Sequence, residues 1–437
     1  MEAYYVWIGV AVLLLTVWAL IKGYEARLVL IVSGFVMACI AMDPMAAFNG
    51  MSKGMTAKTM ILNICSVMGF AFTMRYTKCD IHLGQALAKP LGRMQLFLVP
   101  GAALCTFLVN IALPSCSGTS AAVGSVVIPL LMSLGVHPAM AAGACMMGTF
   151  GEMLSPGMLH NVYVAEIATK WNTAHGGAAV DVMDVIARNS TATFICLGVT
   201  MVILWGMGIA LKEYKGYVME NKEASDNKEF KVNYLYAIMP LVPITMLVVG
   251  GIYKQELPFL GGLKVPHCML IGAMLALLVT RANPKNFSKE FFNGMGKGYA
   301  DIMGIIIGAY IMLGGMGALG LIKAAENLMK SSPDLASILA VVGPFGLAMM
   351  TGSGNSATMI FNGAISINAP DFGMSVIDMG TLATIAGCLG RACSPLAGGA
   401  IICAGFAGLD GAMQMTKRTF IPCIIVSAVA YFALMYL

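Results

Sequence analysis

Two copies of a polar, helix-breaking motif interrupt the apolar sequence of this chain. The first copy pairs Ser117-Gly118-Thr119-Ser120 with a later break at Ser155-Pro156-Gly157. The second copy pairs Ser353-Gly354-Asn355-Ser356 with a break at Ser394-Pro395. Backbone that is not helical leaves N–H and C=O groups unpaired, and lipid cannot satisfy them. Such segments occur at membrane depth only inside protein or beside a water-filled cavity, so the motifs predict a binding site between two halves of a secondary transporter.

The composition indicates a helical protein embedded in a lipid bilayer. Of the 437 residues, 59% are hydrophobic and 11% are charged, whereas soluble proteins carry about 25% charged residues. The mean hydropathy is +0.82. The net charge of +5 is distributed over loops and does not indicate a nucleic-acid partner. The first apolar run, residues 4–21, has no basic residue before it and no cleavage site after it, which favours a retained helix over a signal peptide.

The apolar runs predict an all-α polytopic membrane protein with about ten crossings and two re-entrant hairpins. Uninterrupted crossings are expected at about residues 4–21, 28–43, 59–75, 189–211, 233–252, 267–280, 299–318 and 418–437. We interpret 138–168 and 375–408 as crossing helices broken at Ser-Pro, and 97–135 and 335–369 as hairpins broken at Ser-Gly. The domains are then a first membrane repeat (1–211), a hydrophilic cytoplasmic linker (212–232) and a second membrane repeat (233–437).

The two repeats are predicted to have opposite orientations in the membrane. Phe48-Asn49-Gly50 recurs as Phe292-Asn293-Gly294. The Ser-Gly and Ser-Pro motifs also recur, in the same order and with nearly the same number of residues between the first and second copies. This pattern indicates duplication. The positive-inside rule places the N-terminus outside and most of the 26 Lys and Arg residues in cytoplasmic loops, including Arg75 and Lys297. An odd number of spans then separates equivalent points, so the halves are inverted.

The hairpin tips are candidates for binding an anion. The half-helices that follow them are expected to begin at Thr119-Ser120 and Asn355-Ser356, and a helix N-terminus presents free N–H donors and a positive dipole end. Clusters of small residues such as Ser and Gly also let helices pack closely, but the occurrence of one such cluster in each of the two repeats favours binding. The substrate-binding candidates are Ser117, Gly118, Thr119, Ser120, Ser353, Gly354, Asn355, Ser356, Arg391, Ser394 and Pro395.

Arg391 is the one basic residue that no predicted loop contains. A cation at the bilayer centre costs roughly 2.5–3.5 kcal/mol on insertion scales, so it faces a cavity or a partner. Its counterpart in the first repeat is Glu152. In one interpretation Arg391 binds a substrate carboxylate and Glu152 takes a proton or cation; in the other the two form a salt bridge. Ser155, His160 and Asn161 are further candidates for ion coupling.

No prosthetic cofactor is expected. A coupling Na⁺ would be held at the hairpin tips by carbonyl and hydroxyl oxygens, by residues that the sequence does not single out, and H⁺ is the alternative. The 12 cysteines include no Cys-x-x-Cys pair, and we interpret them as structural thiols.

Three second-half motifs resemble the anaerobic C4-dicarboxylate carrier family of DcuC type. They are Thr351-Gly352-Ser353-Gly354-Asn355, Leu389-Gly390-Arg391-Ala392-Cys393-Ser394-Pro395 and Thr416-Lys417-Arg418-Thr419. The resemblance implies transport of fumarate, succinate or a related small organic dianion across a bacterial inner membrane by a multi-pass protein. It also implies membership of the ion-transporter superfamily, a homodimer, and a scaffold domain beside a moving transport domain that contains the hairpins. The tip hydroxyls would contact substrate or cation, and Arg391 would neutralise one carboxylate.

Other functions stay open at this point. A carrier for gluconate-like monoacids, citrate or amino acids has the same general requirements. An ion channel is the alternative from another class, although paired breaks with a buried Arg differ from a ring of carbonyls or charges. An enzyme is not expected, because no Gly-x-Ser-x-Gly, His-Glu-x-x-His or nucleotide-binding signature occurs.

Overall fold

The computed structural model describes residues 2–22, 24–88, 97–217, 231–253, 257–330 and 333–436. Within these ranges the regular elements are all helical. The first half contains α1 (Glu2–Ile21), α2 (Ala26–Ile40), α3 (Pro44–Met55), α4 (Lys58–Tyr76), α5 (Cys79–Ala88), α6 (Leu98–Ala112), α7 (Cys116–Ser133), α8 (Pro138–Met147), a 3₁₀ turn (Gly148–Leu154), α9 (Leu159–Ala174) and α10 (Val182–Ala210).

The second half follows a similar order of elements. It contains α11 (Tyr234–Ile238), a 3₁₀ turn (Met239–Leu241), α12 (Val242–Ile252), α13 (Pro258–Gly261), α14 (Val265–Thr280), α15 (Pro284–Lys297), a π-helical turn (Gly298–Met303), α16 (Gly304–Ala318), α17 (Leu321–Lys330), α18 (Pro333–Thr351), α19 (Gly354–Ala364), a 3₁₀ segment (Ser366–Phe372), α20 (Val376–Ala392), α21 (Gly398–Phe406) and α22 (Met413–Tyr436).

Helices α3 and α15 lie where the sequence predicted only loops. Both are short and carry the repeated Phe-Asn-Gly motif, so neither contains the long apolar run that predicts a crossing. Their caps are nevertheless typical of helix starts. Asp43 accepts from the Ala46 amide at 3.2 Å, and Asn283 accepts from the Lys285 amide at 3.0 Å. A proline follows each cap at the first helical position, where its missing N–H costs nothing.

The predicted linker is only partly described. Residues 218–230 lie outside the described residues, but residues 212–217 pack against the rest of the protein. The Glu213 carboxylate, 9% exposed, forms an ion pair with Arg418 of α22, and its backbone carbonyl accepts from the His137 amide at 2.9 Å. The start of this segment is therefore packed against the protein rather than fully solvated.

The helices separate into two bundles. The framework bundle consists of α1–α4 and α11–α16, with α16 packed on α2 and α3, and α15 packed on α4. The hairpin bundle consists of α6–α10 and α18–α22 and contains most of the largest buried cluster. Helices α5 and α17 contact both bundles. Each half of the sequence contributes to each bundle, so the two halves are interleaved rather than side by side.

Close backbone contacts at glycines occur in matched pairs between the halves. Gly50 of α3 lies against the Tyr310 carbonyl, and Gly294 of α15 lies against the Met68 carbonyl. In the hairpin bundle Gly151 lies against the Phe107 carbonyl, and Gly390 lies against the Phe345 carbonyl. A Cβ atom at any of these glycines would overlap the facing carbonyl oxygen. These equivalent contacts support the predicted duplication.

The protein has the apolar surface expected of a bilayer protein. Among the described residues, four helical stretches of 18 residues or more are apolar enough to cross a membrane: Cys116–Ser133, Val182–Ala210, Pro284–Ala318 and Met413–Tyr436. Large apolar side chains are exposed, including Trp7 at 73% and Leu278 at 72%, and apolar patches of this extent indicate contact with lipid. The first of the four stretches is α7, which we assigned to a re-entrant hairpin; re-entry stays a prediction.

Gly390→Ala is expected to destabilise the protein by about 1–3 kcal/mol, because the added methyl overpacks α20 against the backbone of α18. Gly346→Ala is the matched control, since nothing lies within 4 Å of its Cβ position on α18. That change should be neutral or stabilising, as Ala favours a helix over Gly by about 1 kcal/mol. Thermal unfolding in detergent measures both, and equal midpoints for the two variants would contradict the close-contact assignment.

Candidate functional site

Two serines cap the half-helices that start at the hairpin tips. Ser115 caps α7 by accepting from the Gly118 amide at 3.2 Å, and Ser353 caps α19 by accepting from the Ser356 amide at 3.3 Å. Helix α7 thus begins at Cys116, so the predicted start at Thr119-Ser120 is wrong by three residues. The cap is Ser115 because its backbone is extended while its hydroxyl reaches the first turn. Ser115, rather than Ser117, is the equivalent of Ser353.

The two tips face one cavity of about 710 Å³. Of the predicted substrate-binding residues, Ser117, Gly118, Ser353, Gly354, Asn355 and Arg391 line it, together with Glu152. Residues Thr119, Ser120 and Ser356 are almost fully buried one turn further along their helices and do not line it. The amides of the first two residues of each half-helix have no acceptor within the helix. Both helix N-termini therefore present free donors to the same space.

Arg391 and Glu152 form a buried ion pair across the two breaks. The Arg391 Nη1 atom lies 2.7 Å from Glu152 Oε1, and the two side chains are 9% and 5% exposed. Arg391 Nη2 also donates to the Thr149 carbonyl at 3.2 Å. The structure thus shows the salt bridge that the sequence left as an alternative. The Nε atom of Arg391 has no hydrogen-bond partner among the described residues.

Asn110 of α6 organises the first tip and was missed by the sequence analysis. Its Oδ1 accepts from the Glu152 amide at 2.7 Å, while its Nδ2 donates to Thr119 Oγ1 at 3.1 Å and to the Leu113 carbonyl at 3.2 Å. The side chain is fully buried. An Asn within the apolar α6 was the available signal, since polar residues inside membrane helices are rare and have partners.

The other predicted residues lie outside the main cavity, and two of them form hydrogen bonds with backbone groups at the breaks. Asn161 donates to the Met153 carbonyl at 2.8 Å and to the Ser155 carbonyl at 3.0 Å. Ser394 Oγ accepts from the Leu396 amide at 3.2 Å. His160 is fully buried beside Asn355 and does not line the cavity. Pro395 lines a second, separate cavity of about 510 Å³.

Two cations that were predicted in cytoplasmic loops line the main cavity. Arg75 lies near the end of α4 and Lys297 at the end of α15. Asp80 of α5 lines it as well. Loop charges are assigned by sequence position alone, and only the packing of the framework bundle against the hairpin bundle shows which of them face inward. The cavity lies between the two bundles.

Each of Glu152→Ala and Arg391→Ala is expected to destabilise the protein by about 3–5 kcal/mol, because each leaves the other charge buried without a partner. The double variant should lose less than the sum of the two. The matched control is the more accessible pair Arg188–Asp378, with side chains 39% and 22% exposed, for which a coupling energy of about 0–1 kcal/mol is expected. Denaturant titration in detergent gives the free energy of unfolding of the wild type, the two single variants and the double variant of each pair. Additive losses at Glu152 and Arg391 would contradict the pairing.

Comparison with known proteins identifies relatives over nearly the whole chain. A transporter of Haemophilus influenzae, named as uncharacterized, is 36% identical over 274 residues, which cover 61% of this chain and 94% of the relative. The anaerobic C4-dicarboxylate transporter DcuC of Escherichia coli K12 is 24% identical over an alignment of 454 positions, which covers 96% of this chain and 93% of the relative. These relatives are named transporters, which agrees with the expectation that the chain is not an enzyme.

A solved structure shares the fold. Neisseria gonorrhoeae MtrF, described with a class of antimetabolite efflux pumps, aligns with a TM-score of 0.64 at 12% sequence identity, over 88% of this chain and 82% of that chain. The family model DcuC, described as a C4-dicarboxylate anaerobic carrier, matches residues 7–437. The predicted resemblance is thereby confirmed, and the chain belongs to the DcuC family.

Proposed function

We propose that this protein is a secondary transporter that carries C4-dicarboxylates such as fumarate or succinate across the bacterial inner membrane by alternating access. The observation that carries the proposal is the cavity into which both half-helix N-termini open. A dianion that leaves water needs compensating charge and hydrogen-bond donors. Two helix N-termini supply donors for two carboxylates, one at each tip.

The charges around the cavity favour an anionic ligand. Among the described residues, its lining contains three cations, Arg75, Lys297 and Arg391, and two carboxylates, Asp80 and Glu152. Arg391 is already neutralised by Glu152, so the pair fixes the breaks rather than supplying free charge. The remaining positive charge and the two helix dipoles all favour a negatively charged substrate. We assign the substrate contacts to Ser117 and Gly118 at one tip, and to Ser353, Gly354 and Asn355 at the other.

The boundary between the two bundles is the surface that moves in the proposed alternating access. In this proposal the hairpin bundle moves as a unit relative to the framework bundle, in an elevator-type motion of inverted repeats. Polar contacts cross that boundary, since Tyr310 of α16 donates to Glu166 of α9 at 2.9 Å and Lys170 donates to the Tyr310 hydroxyl at 3.0 Å. Coupling to Na⁺ or H⁺, exchange of internal for external substrate, and a homodimer are parts of the proposal that rest on the family resemblance.

The cavities favour a carrier over a channel. The main cavity and the second cavity share no lining residue. Gly352 at the second tip lies between them, because it lines the first cavity while its Cβ position lies against the backbone of Leu396, which lines the second. The packed backbone between the two cavities differs from the continuous pore of a channel.

Proteoliposomes test the function directly. Labelled succinate outside should exchange with internal fumarate at a rate that saturates with concentration. Imposing Na⁺ and pH gradients separately identifies the coupling ion. Gluconate, citrate and an amino acid serve as competing substrates, and preference for one of them over succinate would replace the proposed substrate. Flux that rises linearly with concentration and needs no internal substrate would contradict the carrier.

Cross-linking tests the motion between bundles. Cysteines replacing Leu313 and Gly363 join α16 to α19 across the boundary, where the Gly363 Cβ position contacts the Leu313 side chain. Oxidation of this pair should abolish exchange, and a reductant should restore it. Cysteines replacing Gly69 and Met295 join α4 to α15 within the framework bundle and form the control, which should keep most of its rate. Full exchange by the oxidised first pair would contradict relative motion at this boundary.

A further inference from the structure

Arg75 extends from the framework bundle and contacts the first turn of α7. A Cβ atom at Gly118 would overlap Nη2 of Arg75, so the guanidinium occupies the space that the missing side chain leaves. The guanidinium also lies over the ring of Phe72, with its Cζ atom 5.6 Å from the ring centroid. Because the Ser117 and Gly118 backbone lines the cavity at the same place, the guanidinium is held at the positive end of a helix.

This guanidinium has no acceptor in the part of the chain that the structure describes. Among the residues that the structure describes, Arg75 makes no hydrogen bond and no ion pair within 4.0 Å. Its acidic neighbour Asp80 is 5% exposed, and that carboxylate accepts from the Ile81 amide at 2.8 Å. Asp80 therefore acts on Arg75 only through space. The side chain of Arg75 is exposed to the cavity.

Such an arrangement is unfavourable unless an anion occupies it. A guanidinium and a helix N-terminus are both positive and repel each other, whereas an anion between them is attracted to both. An independent observation points to the same ligand. Arg391, 7% exposed, lines this cavity, and although its Nη1 atom is paired with Glu152, its buried Nε atom has no partner in the described chain. A carboxylate beside α7 would receive the free amides of the first turn and the two-pronged donor of Arg75.

Among the described residues of the second half, no cation occupies the position equivalent to Arg75. The matched contacts of Met68 with Gly294 and of Tyr310 with Gly50 align α4 with α16, and both helices end soon after. In this alignment Arg75 corresponds to Gly317, which has only the Ile322 side chain near its Cβ position. Helix α16 therefore brings no charge to the start of α19.

We propose that Arg75 binds one carboxylate of the substrate, and that it does so in only one of the two access states. The inference rests on the proposed function. Arg75 belongs to the framework bundle and α7 to the hairpin bundle, so movement of one bundle relative to the other separates them. Substrate affinity then differs between the two faces of the membrane, and Arg75 is the cause of the difference.

The test measures the KM for succinate separately from each face, by uptake and by efflux, in proteoliposomes of known orientation. Arg75→Ala should raise KM by about 10- to 100-fold from one face, as expected for losing a charge-assisted pair, and by less than about twofold from the other. Succinamate, in which one carboxylate is an amide, gives a second readout. The wild type should prefer succinate from the affected face, and Arg75→Ala should lose that preference.

Two further variants separate binding from folding. Gly118→Ala keeps the charge but displaces the flexible end of Arg75, so it should raise KM from the same face. Lys78→Asn is the matched control, because it removes an exposed cation from the same turn outside the cavity. Its left-handed backbone, with φ of 60°, suits Asn, and both KM values should stay unchanged.

The outcomes distinguish the two proposals. If the wild type exchanges succinate and Arg75→Ala keeps both KM values, the role of Arg75 is wrong while the transport function stands. If KM rises equally from both faces, the restriction to one access state is wrong. If the wild type neither binds nor exchanges any C4-dicarboxylate, the proposed function is wrong and the assignment of Arg75 falls with it.

Discussion

Unpaired backbone groups at the four helix breaks are the constraint on which the rest of this structure depends. A serine caps each of the two half-helices that start at the hairpin tips, and side-chain amides or hydroxyls donate to backbone carbonyls at the Ser-Pro breaks. Asn161 donates to two carbonyls of the first Ser-Pro break, and Thr419 of α22 donates to the Ala392 carbonyl of the second at 3.0 Å. Most of the polar residues in the repeated motifs are used in this way. Only the residues left over, chiefly at the tips, are available to a ligand.

The Glu152–Arg391 pair joins the two halves at the point where their backbones leave the helix. Arg391 also donates to the Thr149 carbonyl in the first half. The Glu152 carboxylate in turn lies 3.7 Å from Sγ of Cys388 in the second half. A buried pair of this kind contributes little net stability compared with apolar packing, but removing one partner is costly. Its role here is positional, because it joins the two breaks beside one cavity.

The two halves are similar in backbone and different in charge. Matched glycine contacts and matched serine caps support a duplicated arrangement, yet Asn110 and Arg75 occur only in the first half. Equivalent backbone provides two similar helix N-termini. In the proposed mechanism, unequal side chains give the two access states different surroundings, so that a nearly symmetric fold would bind its substrate differently from each side.

The sequence by itself determined the helical membrane class, the positions of the four breaks and the importance of Arg391 and Glu152. These follow from local physics: apolar runs favour helices in lipid, and Ser, Gly and Pro interrupt them wherever they occur. Sequence also placed Arg75 and Lys297 in loops, because position along the chain gives no information about which surface a charge faces. Only the tertiary structure decided that Arg391 is paired, that Asn110 holds the first tip, and that Arg75 meets Gly118. Those contacts join residues far apart in sequence, and the packing of the two bundles brings them together.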